Sequence, residues 1–134
     1  MKFGRLNIIA GGAVIFIAGF GGFALGFSME SHFPQGFYAL PFARALMKAG
    51  HSHAMPLALY NLIIGVMVDR LVLDDKYKKW LSLLTVGAFI MPVGLFLRGL
   101  TGGAMTFAPV VLIGALCFLS SAGIMVKGAM AAKE

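Results

Sequence analysis

Four apolar stretches, residues 6–27, 50–68, 80–97 and 105–126, take up most of this 134-residue chain and restrict what it can fold into. A hydrocarbon core is crossed by roughly 20 apolar residues at the rise of a helix, and each stretch has that length or nearly so. The composition is 60% hydrophobic and only 12% charged, with a mean hydropathy of +0.91, which leaves too little polar surface for a water-soluble domain. The expectation is an all-α, integral-membrane bundle of four transmembrane helices. It forms a single domain over residues 1–134, with the second helix starting at about residue 43 and ending at 68. The first stretch is expected to remain in the mature protein. Its uncharged run exceeds the roughly 7–15 residue core of a signal peptide, and no small-x-small cleavage site clearly ends it.

Basic residues orient the bundle, because short loops rich in Lys and Arg stay on the cytoplasmic side. Lys2 and Arg5 precede the first stretch, Arg70, Lys76, Lys78 and Lys79 lie between the second and third, and Lys127 and Lys133 follow the fourth. Only Arg44, Lys48 and Arg98 fall at the other end. A multi-pass protein of a bacterial-type inner membrane with both termini cytoplasmic is therefore expected, with Trp80 as an interfacial anchor. The net charge of +6 belongs to this topology, with some attraction to anionic headgroups, and no nucleic-acid partner is implied. The longest outer loop, Ser28 to Pro41, carries Glu30, His32, Phe33, Phe37 and Tyr38. Its composition favours rest in the headgroup region over a lid across the second helix. Cys117 has no partner cysteine in the chain, which excludes a disulfide or cysteine metal cluster within one subunit. The glycines of the first stretch (Gly11, Gly12, Gly19, Gly22, Gly26) include a small-xxx-small pair, Gly22 and Gly26, suited to close helix contact within a subunit or between copies. A homo-oligomer is expected.

Two histidines, His51 and His53, head the second stretch, and an ionisable group kept within a membrane span marks a functional site. At about 100° per residue the two point about 200° apart, so an unbroken helix cannot bring both to one metal ion. The face of His51 continues through Met55, Ala58 and Leu62, with Met47 one turn before it. That of His53 continues through Pro56, Leu57 and Tyr60. Pro56 removes the hydrogen bond that the Ser52 carbonyl would accept and invites a kink there. Three chemistries suit this pattern. His51 can be the axial ligand of a haem, with the small Ala54 and Ala58 admitting a flat macrocycle. Met47, His51 and Met55 can form a soft ladder for Cu(I). Or each histidine donates to a carbonyl on another helix while the methionines fill gaps. The spans hold no Ser-His-Asp, paired-carboxylate or phosphate-loop pattern, so hydrolase and NTPase readings have no support.

Taken together, Gly50-His51-Ser52, the apolar run to Leu73, Asp75-Lys76 and Val93-Gly94-Leu95-Phe96 resemble the corresponding stretch of styrene oxide isomerase. The likeness covers about residues 30–100, and chain length and four-helix layout agree. The resemblance implies a trimer holding haem b near its subunit interfaces, with the iron on His51 and Phe96 beside the cofactor; Met55 and Ala58 join that site as residues on the face of His51. Ferric iron acts in that family as a Lewis acid that turns an aryl epoxide into an aldehyde. Two positions depart from the pattern. Phe96 stands where the isomerase has a tyrosine, and Leu57 where it has an asparagine. Asn61 lies one turn farther on, about 5–6 Å deeper along a helix that keeps its register. The catalytic residues therefore stay unassigned. The expectation is a membrane haem b protein with a small apolar ligand or substrate, and activity as an epoxide isomerase is left open. The alternatives are a haem protein without turnover, for electron transfer or gas sensing, and a copper-handling membrane protein.

Overall fold

The computed structural model describes residues 1–31 and 41–132. Within them the chain forms α1 (Arg5–Ser31), α2 (Pro41–Met67), α3 (Asp75–Gly87), α4 (Ile90–Leu100) and α5 (Ala108–Ala131), with single 3-10 turns at Val68–Arg70 and Met105–Phe107. No strand occurs among the described residues. Four helical segments, Arg5–Phe23, Pro41–Arg70, Asp75–Leu100 and Met105–Ala131, are long and apolar enough to cross a membrane. Helices suit such a setting because they satisfy their own backbone N–H and C=O groups where water is absent. Of the segment expected as an outer loop, Ser28 to Ser31 continue α1, Pro41 opens α2, and residues 32–40, His32 included, lie outside the described residues, as does Lys133.

Helix ends run past the apolar stretches, because residues that suit a helix terminus extend it beyond the hydrophobic run. Pro41 opens α2 at a first-turn position, where its missing N–H costs nothing. Asp75 sits in the first turn of α3, where a carboxylate suits the positive end of the helix dipole. The two prolines within apolar runs differ. Pro56, where a kink is invited, does not end α2, which runs as one helix past this exposed residue. It is the third apolar stretch that is broken, into α3 and α4, ahead of the buried Pro92. Pro92 has no N–H to donate to Ala88, so the Met91 N–H bonds the Ala88 carbonyl at 3.1 Å and the Phe89 N–H turns to Val86 at 3.1 Å.

Close approaches at glycine fix how the helices pair. On α1 and α2 the contacts run Gly4 to Gly65, Gly11 to Ala58 and Gly22 to His51, the order of antiparallel neighbours. Gly50 and Gly99 bring α2 against α4, and Gly94 and Gly114 bring α4 against α5. Van der Waals contact is the main attraction between helices in lipid, so a missing side chain at the crossing point matters. The glycine face of α1 divides accordingly. Gly11 and Gly22 are taken up by α2, whereas a Cβ added at Gly12, Gly19 or Gly26 would meet nothing within 4 Å. The turn between α4 and α5 also needs glycine, since Gly102 and Gly103 have φ of 70° and 96°.

One end of the bundle is tied together by polar groups. The Asp69 carboxylate accepts the Lys2 N–H at 2.9 Å and the Phe3 N–H at 3.1 Å, and Lys2 Nζ meets Asp75 at 2.5 Å. Beneath this, Ile64, Val68 and Leu81 form a buried cluster.

The glycine contacts predict opposite outcomes for one kind of substitution. A methyl group at Gly114 would strike the Met91 backbone, with its Cα at 2.6 Å, and backbone cannot swing aside. Gly114→Ala is expected to destabilise the protein by about 1–3 kcal/mol, the usual range for overpacking. Gly12→Ala is expected to be neutral or slightly stabilising, because alanine favours the helix and meets open space. Unfolding titrations in mixed micelles measure both, and equal stability of the two variants would refute the assigned α4–α5 contact.

Candidate functional site around His51

Gly50 and His51 mark the level at which three helices meet. A Cβ on Gly50 would lie 3.0 Å from the Pro92 carbonyl oxygen and 3.2 Å from the Phe96 nitrogen, so this glycine lets α4 close on α2. The next residue turns the other way. The His51 ring fills the space left by the missing side chain of Gly22 on α1, where an added Cβ would lie 2.8 Å from Nε2 and 3.2 Å from Nδ1, with Cε1 nearer still. The imidazole is half-buried. It lies about 27 Å along the helix axis from Asp69 at 1.5 Å per residue, so it sits towards the far end of the bundle from the Lys2–Asp69–Asp75 cluster. Arg44 and Lys48 lie beyond it on the same helix.

The opposed directions inferred for the two histidines appear as different environments. His53 is exposed, and its Nδ1 is 2.7 Å from the Ala49 carbonyl of its own helix, a bond in which the ring N–H donates. It therefore satisfies a turn of α2. Ser52 behaves likewise, donating to the same carbonyl at 3.2 Å.

The remaining candidate positions are spread over two helix contacts. Ala58 is completely buried, and its carbonyl lies 2.8 Å from a Cβ added at Gly11, so its small side chain serves the α1–α2 contact. Met55 is half-buried one turn after His51. Met47 is 1% exposed and packs on Gly99 of α4, which commits it to the α2–α4 contact. Phe96 is half-buried on α4 with its backbone nitrogen beside Gly50, and Leu57 is buried. Among the described residues no three His, Cys, Asp or Glu side chains gather in a way that holds a metal ion.

Asn61 cannot replace the polar group missing at position 57. Both of its amide hydrogens are used, to the carbonyls of Leu57 at 3.1 Å and Thr85 at 2.9 Å, and its oxygen accepts Asn7 Nδ2 at 3.0 Å. Asn7 also donates to the Ser82 carbonyl at 3.1 Å and accepts from Ser82 Oγ. Asn7, Asn61 and Thr85 are completely buried and Ser82 nearly so, which makes this a closed polar cluster joining α1, α2 and α3. Tyr60, on the His53 side of α2, instead approaches the buried Ser121 of α5 at 3.3 Å, while Ser121 donates to the Phe118 carbonyl at 2.7 Å.

The feature that the sequence pattern did not single out is a bare strip on α1. Gly19 and Gly26 stand about 60° and 40° round the helix from Gly22, and among the described residues neither has a neighbour within 4 Å of an added Cβ. Phe16 and Phe23, each 77% exposed, stand beside the strip. The result is a shallow, apolar, backbone-floored surface next to the Gly22–His51 contact. Its signal in the sequence was the seven-residue spacing of Gly12, Gly19 and Gly26. Comparisons of the chain with protein-family models, curated proteins and solved structures give no match.

Proposed function

We propose that this chain is a membrane haem b protein of the styrene oxide isomerase type, with His51 as the axial ligand. The observation that carries the reading is the position of His51, a half-buried imidazole at the level where α1, α2 and α4 meet, beside α1 backbone that no side chain covers among the described residues. The donor set fits the group. A single neutral imidazole in apolar surroundings is the usual proximal ligand of haem iron, and bare helix backbone suits a flat macrocycle. When bound, ferric haem supplies a Lewis acid able to polarise an epoxide oxygen.

The chain's own residues perform the supporting tasks in this reading. Gly22 limits the ring positions open to His51, and Gly50 holds α4 close enough to bring Phe96 to the same level. Phe16 and Phe23 provide an apolar wall that excludes water. Phe96 and Leu57 bring no hydroxyl or amide, so a substrate would be held by apolar contact alone. A second copy would complete the wall. Ile9, Phe16 and Phe23 alternate with Gly12, Gly19 and Gly26 at spacings of three and four along an exposed face, a pattern of knobs and holes that two copies can share. The homo-oligomer, a trimer by resemblance, rests on the Ile9–Gly12–Phe16 part of that face, which leaves Gly19 and Gly26 to the macrocycle. The end holding Lys2, Arg5, Arg70, Lys76, Lys78, Lys79 and Lys127 is assigned to the cytoplasm by the excess of basic residues.

A non-catalytic haem protein is the second reading, favoured by one specific observation: Asn61, the amide one turn beyond position 57, is fully committed to the buried cluster. One experiment separates the readings. The purified protein is expected to show a Soret band, and its absence would refute both. Styrene oxide turnover is expected to be weak or nil, because a single preorganised donor is worth about 2.7–4 kcal/mol of barrier and two are missing. Leu57→Asn with Phe96→Tyr, at matched haem content, is expected to raise it. Native turnover equal to that of an authentic isomerase would overturn the non-catalytic reading.

A further inference from the structure

The geometry points to a binding site for the phosphate of an anionic phospholipid at the basic end of the bundle, in a cavity between the α2–α3 connection and the last turns of α5. The cavity has a volume of about 430 Å³ and lies between the Leu71-Val72-Leu73 turn, the first turn of α3 and the end of α5. Two ammonium groups line it, and both are held in place. Lys78 Nζ donates to the Asp69 carbonyl at 3.0 Å, and Lys127 Nζ rests 3.8 Å from the centroid of the Tyr77 ring. A cation so placed has lost part of its conformational freedom before any ligand arrives.

The acidic groups nearby do not cancel this charge. Asp69 accepts two backbone N–H groups from the N-terminal segment, and Asp75 pairs with Lys2. Among the described residues Asp74 is the one carboxylate that lines the cavity, against Lys78 and Lys127. Arg70, Lys76 and Lys79 add positive charge around it. The cavity therefore selects an anion.

Its walls select a lipid over a free ion. Three consecutive apolar residues form a connection that would ordinarily be polar, Val72 is exposed, and Leu73 packs on Gly128 of α5. Trp80, one turn into α3, is exposed on the same helix. An apolar wall directly beside paired ammonium groups, at the end of four membrane-length helices, matches the junction of a phosphate headgroup with its acyl chains.

Trp80 is the only tryptophan in the chain and lies three residues, one helical turn, beyond the cavity-lining Tyr77 on α3, so it reports on lipid bound at this end. The full-length protein in micelles is titrated with brominated phosphatidylglycerol and brominated phosphatidylcholine, and quenching of Trp80 is followed. Preferential quenching by phosphatidylglycerol is expected. Lys127→Gln and, separately, Lys78→Gln are each expected to lower that preference about fivefold, the effect of one lysine at a membrane surface. Lys127→Arg should retain it, and Lys79→Gln, which removes the same charge outside the cavity, should change it less than twofold. Equal losses in Lys79→Gln and Lys127→Gln would show diffuse attraction and overturn the site. Displacement of the lipid by millimolar inorganic phosphate would overturn the assignment to a lipid.

Discussion

His51→Ala is expected to leave the purified protein almost without haem, whereas His53→Ala should keep close to the native amount. The two histidines differ in everything that matters to a ligand. His51 is half-buried in the groove between α1 and α2, next to the bare strip at Gly19 and Gly26. His53 is exposed and already spends a ring N–H on the Ala49 carbonyl. The substitution at 51 also empties the space over Gly22, so loss of cofactor has to be separated from loss of fold. Added imidazole should restore the absorption band in His51→Ala if the cavity persists, and helicity should match the native chain. The copper reading predicts a different pattern, in which Met47→Leu lowers metal content. Here Met47 is buried against Gly99, so Met47→Leu is expected to leave bound iron unchanged. Haem lost in His53→Ala and retained in His51→Ala would overturn the assignment.

Hydropathy made the four spans legible, since a membrane-length apolar run is set by bilayer thickness and needs no tertiary information. The directions of His51 and His53 followed from helix geometry alone. What the chain did not disclose locally was which features act across helices. Pro56 and Pro92 look alike as residues within apolar runs, yet only Pro92 ends a helix. Pro56 lies exposed, while Pro92 is buried and its carbonyl is set beside Gly50, so tertiary contact surrounds the break. The glycines of α1 were equally ambiguous. Gly11 and Gly12 are adjacent in sequence, but one faces Ala58 and the other open space. Asn61 read as a possible polar group for the site, and only its three partners on α1, α2 and α3 show that it belongs elsewhere.

Removal of Asn61 should accordingly cost stability and not ligand binding, and Asn61→Leu is the sharper test because it keeps the branched four-atom side chain while removing both polar atoms. The break before Pro92 is what makes this residue necessary. In a continuous helix the Phe89 N–H would bond the Thr85 carbonyl, but here it turns to Val86, and Asn61 Nδ2 donates to Thr85 in its place at 2.9 Å. Asn61→Leu leaves that carbonyl and one N–H of Asn7 buried without partners. A stranded polar group costs about 1–3 kcal/mol, while measured interhelical bonds in membranes average about 0.6 and reach about 1.7 kcal/mol. Two stranded groups, tempered by the lower membrane values, give an expected loss of about 2–4 kcal/mol in unfolding titrations. Hydrogen exchange should rise most at residues 85–92, where α3 gives way to α4, and haem content should hold in the fraction that stays folded. Native-like stability in Asn61→Leu would mean that the buried cluster makes no net contribution, and that the Pro92 break is held by packing alone.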